Sequence, residues 1–184
     1  MKLADLNYSA CKGCVWLCAK PEVCKLEDDL VTYYQNVNEA DAVVLGSPVH
    51  FRTISATMLA FISRLWGFRH VNFAIKNKPF VLVICGIGNR PDTAEEDFRG
   101  ALSSFNVRIL DIVKYYSRIP LCYRCGRHQE CSIGGAYKIW SYKAHTLTIT
   151  PNLFHRWEDD NQTVVKVSAA AEKLRKVVAT STHI

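Results

Sequence analysis

Two uninterrupted apolar runs, Ala42-Val43-Val44-Leu45-Gly46 and Phe80-Val81-Leu82-Val83-Ile84-Cys85, constrain the fold of this chain more than any other feature. A strand with one wet face alternates apolar and polar residues, whereas a strand covered on both faces reads as continuous. Between the runs, Ile54, Met58, Leu59, Ile62 and Leu65 recur at helical spacing, which predicts a crossover helix over 55–66. Strand, helix and strand in that order dictate a parallel sheet with right-handed crossovers. The second run ends in Gly86-Ile87-Gly88-Asn89-Arg90-Pro91, a loop rich in turn formers. Asp92 or Thr93 then caps a helix whose inward positions are Ala94, Phe98, Ala101, Leu102 and Phe105, and 107–116 is the last clear strand.

The flanking segments fill in the frame. Lys2 to Asn7 reads as a short strand, and Glu27-Asp28-Asp29 as the acidic start of a helix with Leu30, Tyr33, Tyr34 and Val37 inward. From Pro120 to Trp157 the alternation breaks into an irregular insertion, with one short strand expected in Thr146-Leu147-Thr148-Ile149-Thr150. A closing helix begins near Asp159 or Asp160 and turns Val164, Val167, Ala171, Leu174 and Val178 inward. With 184 residues, 49% of them hydrophobic, residues 1–184 make one domain with its own core and no need of disulfides.

Cysteines carry the chemistry. Cys11, Cys14, Cys18 and Cys24 lie within fourteen residues, so a loop over 8–26 can converge on one metal centre with little entropy opposing closure. Free thiols or a disulfide pair are the bland alternative. No apolar run approaches the roughly 20 residues of a membrane span, and Lys2 and Asp5 stand where a signal peptide needs an apolar core. A cytoplasmic protein is expected, and there cysteines serve as metal ligands or redox groups more often than as disulfides. The net charge of +6 is scattered with no basic block, so nucleic acid is not an expected partner.

Taken together, Cys11-x2-Cys14-x3-Cys18-x5-Cys24, Asp28-Asp29, Ala40-Asp41 and Gly46-Ser47-Pro48-Val49-His50-Phe51 with Ser55-Ala56 closely resemble the iron–sulfur flavoproteins. Those proteins belong to the flavodoxin-like, NADPH-dependent FMN reductase family, several of them from anaerobes. The resemblance is strong over residues 1–66 and rests on strand order beyond, and the three-residue gap before Cys18 is a small departure from it. It implies a flavodoxin-like three-layer α/β sandwich, an FMN at the carboxyl ends of the strands and a [4Fe–4S] cluster on Cys11, Cys14, Cys18 and Cys24. The FMN contacts it implies are Ser47, Pro48, Val49, His50, Phe51 and Ser55 in one loop and Gly86, Gly88 and Asn89 in another. Such placement agrees with the general position of ligands in open parallel sheets. Members of the family open with a further strand and a phosphate-binding loop that no residues here match. A shortened sequence, a gap filled by another chain, or an inward shift of Lys2 to Asn7 would each account for that.

Cys122-x2-Cys125-x5-Cys131 offers three ligands of a second site. Cys85, at the end of the preceding parallel strand, is the expected fourth, with His128 as the competing one. Thiolate sites suit a second cluster and zinc alike. Tyr123, Tyr137, Trp140 and Trp157 would shield such a centre. No general acid, nucleophile or triad stands out. The expected function is electron transfer between a [4Fe–4S] cluster and FMN, and onward to a redox protein or small-molecule acceptor. The alternatives are an NAD(P)H-dependent flavin or quinone reductase and a non-enzymatic metal-binding subunit. Assembly as a homo-oligomer or within a larger complex is expected.

Overall fold

The computed structural model describes residues 1–88, 92–117, 122–148, 150, 153 and 156–181, with the side chains of 123, 124 and 181 left aside. Its sheet contains β1 (Val43–His50), β2 (Thr53–Ile54), β3 (Pro79–Ile87) and β4 (Arg108–Ser117) in the order β2-β1-β3-β4. β1 pairs parallel with β3, Val43 beside Phe80 through Pro48 beside Cys85, and β3 pairs parallel with β4. Only β2 runs antiparallel, joined to the end of β1 by a tight hairpin.

One face of the sheet carries the main core. α2 (Val31–Glu39), α3 (Ala56–Arg64) and α4 (Ala94–Ser103) bury Tyr34, Phe61 and Phe98 against Leu45, Leu82 and Ile84. Each such aliphatic or aromatic side chain contributes about 1.5–3 kcal/mol by leaving water. α3 begins where expected because the Ser55 hydroxyl accepts the Met58 N–H at 3.2 Å. α4 is capped by the Asp92 carboxylate, which accepts the Ala94 N–H at 3.0 Å, and not by the Thr93 side chain. On the opposite face, α7 (Asn161–Ser181) lays Val167, Ala170 and Leu174 on Val81 and Val113. Ala170 rather than Ala171 is the buried alanine of that stripe.

Three expectations are corrected. β1 is covered on one face only: α7 is a single helix and lies over β3 and β4, so Val44 is 56% exposed and Gly46 and Pro48 are exposed beside it. Lys2 to Asn7 is not a strand but a 3-10 turn over Leu3–Asp5, closed by a Leu6 N–H to Leu3 C=O bond and a Lys2–Asp5 ion pair. Among the described residues no strand pairs with the outer edge of Val43 to Pro48. Without a neighbour to complete a ladder, a six-residue segment satisfies its backbone locally. A groove of about 410 Å³ separates this turn from β1. Residues 146–148 and 150 are likewise not a strand, and 149 lies outside the described residues.

Candidate metal and flavin site

The first cysteine loop is stitched to the body of the protein at many points. Asn7 N–H donates to the Asp29 carboxylate at 2.7 Å, Tyr8 O–H to the Thr57 carbonyl at 2.6 Å, and Cys11 N–H to the Ser63 hydroxyl at 3.0 Å. Glu22 holds the far end, accepting the N–H groups of Val71 and Asn72 at 2.8 and 2.7 Å. Inside the loop α1 (Val15–Cys18) is a single turn.

The buried residue that organises this region is Arg64, at the end of α3 and 1% exposed. Its Nε donates to Cys24 Sγ at 2.9 Å, its Nη1 to the Ser9 carbonyl at 3.0 Å and to Asp28 Oδ2 at 2.5 Å, and its Nη2 to the Leu26 carbonyl at 3.3 Å. A guanidinium this deep is tolerated because its donors meet a carboxylate, two carbonyls and a sulfur. Burial pushes the Asp28 carboxyl up, but the hydrogen bond from Arg64 and the Ser9 N–H outweigh it, so the group sits below its ordinary value. The sequence did carry a signal for Arg64. It falls on the inward stripe of α3 with Phe61 and Leu65, where a charge needs a partner.

Two of the other sulfurs have polar neighbours. Gly13 N–H donates to Cys11 Sγ at 3.4 Å, and His70 Nε2 lies 3.1 Å from Cys18 Sγ. Burial raises the Cys18 thiol, and the nearness of Cys14, Cys24 and Cys11 raises it further. The four thiols are therefore neighbours, though among the described residues no three Cys, His, Asp or Glu side chains meet at metal-binding distance. Gly67 lets the loop lie this close. A methyl there would stand 2.7 Å from the Cys24 nitrogen and 2.3 Å from the Tyr34 hydroxyl.

The loop after β1 is placed differently from its sequence reading. Ser47 is buried, and its hydroxyl accepts the Ser55 N–H at 2.9 Å and donates toward Pro48 C=O at 3.0 Å, tying the strand end to the start of α3. His50 and Phe51 face outward, and Phe51 is fully exposed. Phe51 and Arg52 both have positive φ, 50° and 72°, as a two-residue hairpin turn demands. Non-glycine residues there cost about 1–3 kcal/mol each. The tip is fixed from the α4 side, where Thr93 N–H donates to Arg52 C=O at 2.8 Å and Thr53 Oγ1 to Asp97 at 2.5 Å. Gly86 opens no space for a ligand: a methyl there would meet the Tyr116 ring at 2.6 Å. Gly88 is a turn glycine with φ of 72°, and Asn89 lies outside the described residues. His50, Pro48, Gly46 and Ser55 line the groove beside the open edge of β1.

The later cysteines form a looser group. Cys122 and Cys125 are the ends of α5 (Cys122–Cys125), and Cys131 follows in a loop before α6 (Gly135–Trp140). Gly134 N–H donates to Cys131 Sγ at 3.0 Å and Ala136 N–H to Cys122 Sγ at 3.3 Å. Cys85 is exposed on the sheet face it shares with Val81 and Val83, near Tyr115.

Residues 1–119 match the model of the NADPH-dependent FMN reductase family. The chain belongs to that family. Curated relatives include an iron-sulfur flavoprotein of Archaeoglobus fulgidus, 32% identical over 82 residues, which are 45% of this chain and 40% of that protein. Iron-sulfur flavoproteins of Methanocaldococcus jannaschii and Methanosarcina thermophila match at 33% over 78 residues and 32% over 76, covering 42% and 41% of this chain and 39% of each relative. The matches thus span about two-fifths of the relatives' length. A solved structure of RosB with a bound 8-demethyl-8-formylriboflavin-5'-phosphate intermediate superposes with a TM-score of 0.52 at 14% identity, covering 96% of this chain and 71% of that one. That likeness supports the flavodoxin-like fold alone. No helix among the described residues is long and apolar enough to cross a membrane.

Proposed function

We propose that this member of the FMN reductase family is an electron-transfer flavoprotein in which Cys11, Cys14, Cys18 and Cys24 hold a [4Fe–4S] cluster close to an FMN. The observation that carries the reading is Arg64, a wholly buried cation whose Nε–H is aimed at the sulfur of Cys24 and whose remaining donors anchor the loop at Ser9, Leu26 and Asp28. A donor set of four thiolates surrounded by N–H groups and a cation suits an anionic iron–sulfur centre. The cluster would exchange single electrons and the flavin pairs of them, so together they would couple one- and two-electron donors. Arg64 and His70 would offset the added negative charge on reduction, and Tyr34 and Phe68, stacked at 4.0 Å, would keep water from the inner side.

For the flavin, the residues free to act are those on the groove beside β1: the backbone of Gly46, the exposed Pro48 and His50, and the Phe51 tip. Ser47 and Ser55 would hold this loop in shape rather than touch the ring, and Val49 would support it from below. Gly88 would face the flavin from the end of β3, with Gly86 holding Tyr116 in place behind it. The same groove is open to a second polypeptide. Exposed Phe51, Val44 and, on the cluster loop, Trp16 at 77% exposure give a redox partner or a second copy apolar surface to dock on.

The family's own name favours a second reading, a nicotinamide-dependent reductase, and one experiment separates the two. Anaerobically purified chain is expected to hold about four irons and a cluster signal that Cys14→Ser abolishes, as the cluster stoichiometry requires. Flavin that bleaches with a nicotinamide donor in that variant as fast as in the parent supports the reductase. A colourless chain without iron or flavin after reconstitution rules out both.

A further inference from the structure

The insertion carries a histidine in an unusual state. His128 Nε2 lies 2.7 Å from the carbonyl of Leu147. A carbonyl only accepts, so Nε2 carries the hydrogen, and the lone pair of the neutral ring is left on Nδ1. Nδ1 is buried and meets no hydrogen-bond partner among the described residues. An unpaired acceptor of this kind costs free energy unless something else occupies its lone pair. This is also how a metal-bound histidine is held, with one ring nitrogen donating to a backbone carbonyl and the other facing the ion.

The sulfurs nearby point the same way. Cys122, Cys125, His128 and Cys131 follow one another with two residues between each. A methyl on Gly134 would stand 2.9 Å from Cys131 Sγ and 3.5 Å from Cys122 Sγ, so these two sulfurs converge on one small patch of backbone. Each already accepts an N–H, Cys131 from Gly134 and Cys122 from Ala136, so both sulfurs are held in place by backbone.

Resting on the reading of the later cysteines as a second metal site, we infer that Cys122, Cys125, Cys131 and His128 Nδ1 bind one Zn²⁺. His128 takes the place that the strand order suggests for Cys85, and three thiolates with one imidazole make a closed tetrahedral zinc set rather than a second cluster. Cys125 is exposed, so its side chain turns inward as the ion binds and the ligands close to coordination distance only then. His145 Nε2 is also buried and without a partner among the described residues, but its ring is engaged by Tyr137, stacked at 5.3 Å, and by Tyr142 at its edge.

The test is metal analysis with zinc-edge X-ray absorption on the full chain purified anaerobically with zinc present, iron and flavin being measured in the same samples. The expected result is one zinc per chain with three sulfur neighbours and one nitrogen. His128→Ala should lower zinc affinity about tenfold or more, while Cys85→Ser and His145→Ala keep it. His128→Cys should retain zinc in a shell of four sulfurs, which separates loss of a ligand from loss of folding. A four-sulfur shell in the parent, zinc retained in His128→Ala, or a parent without zinc overturns the assignment. Because iron and flavin are counted separately, failure here is distinguishable from failure of the electron-transfer reading.

Discussion

The two cysteine loops of this chain are held by different means. Cys11 to Cys24 lies on α3 and is fastened to the body of the protein by Arg64, Asp28 and Ser63 and by bonds that Tyr8 and Glu22 make to Thr57 and Val71. Cys122 to Cys131 is shaped by hydrogen bonds within the insertion itself, two of them to the sulfurs and one from His128 to Leu147. A loop braced by the tertiary framework keeps its shape before any metal arrives. One braced by its own ligands takes its final shape with the metal, and the coupling of binding to folding follows from that.

The comparison breaks first at Arg64. Arg64→Met leaves Asp28 as a half-paired buried carboxylate and should cost about 3–5 kcal/mol of stability in urea unfolding, with cluster content falling in step. If instead the variant unfolds like the parent, the first loop is not braced by this pair. Gly67→Ala comes next. Its methyl must displace the Cys24 backbone and the Tyr34 hydroxyl, at about 1–3 kcal/mol by overpacking, and iron per chain should drop more than flavin does.

A zinc chelator sharpens the contrast from the other side. Limited proteolysis after chelation should open cleavage within 122–148 while the main core stays intact, and simultaneous cleavage in 8–26 would show that the loops do not differ. The acid response is smaller. Asp28 has a depressed carboxyl in the folded state, so its contribution is present above the ordinary carboxylate value and is lost as pH falls through the folded value. Asp28→Asn should therefore flatten the acid limb of stability against pH, measured by thermal unfolding at a series of pH values. Smallest is Phe51→Gly, which removes a fully exposed ring and relieves positive φ. It should change unfolding free energy by about 1 kcal/mol or less, in the stabilising direction, while slowing electron delivery to a partner.

Much of the fold was legible. The apolar run at β3 and the stripes of α3, α4 and α7 report burial directly, because a covered strand and a half-covered helix have different periods, whereas the run at β1 predicts two covered faces and has one. The nearness of the four thiols of the first cysteine loop was legible from their spacing. The brace of that loop was not, since Arg64 and Cys24 are forty residues apart and meet only once α3 packs. His128 was readable as a ligand type, but not which of its ring nitrogens is spoken for, because that is set by Leu147, nineteen residues away. The segment Ser47 to Phe51 and the end of β3 show the opposite case. Ser47 and Gly86 look like ligand contacts in sequence, yet a buried hydroxyl and a missing Cβ were used by the protein's own packing, against Ser55 and Tyr116.

The sequence by itself determined that this chain builds a parallel α/β sheet and where along it the cysteines cluster, because periodicity and spacing act over a few residues. Tertiary structure alone decided which face of β1 stays bare, which cation sits on the first cysteine loop and which nitrogen of His128 meets Leu147. Those outcomes depend on distant groups competing for the same buried donors and acceptors, and the competition is settled only when the core closes.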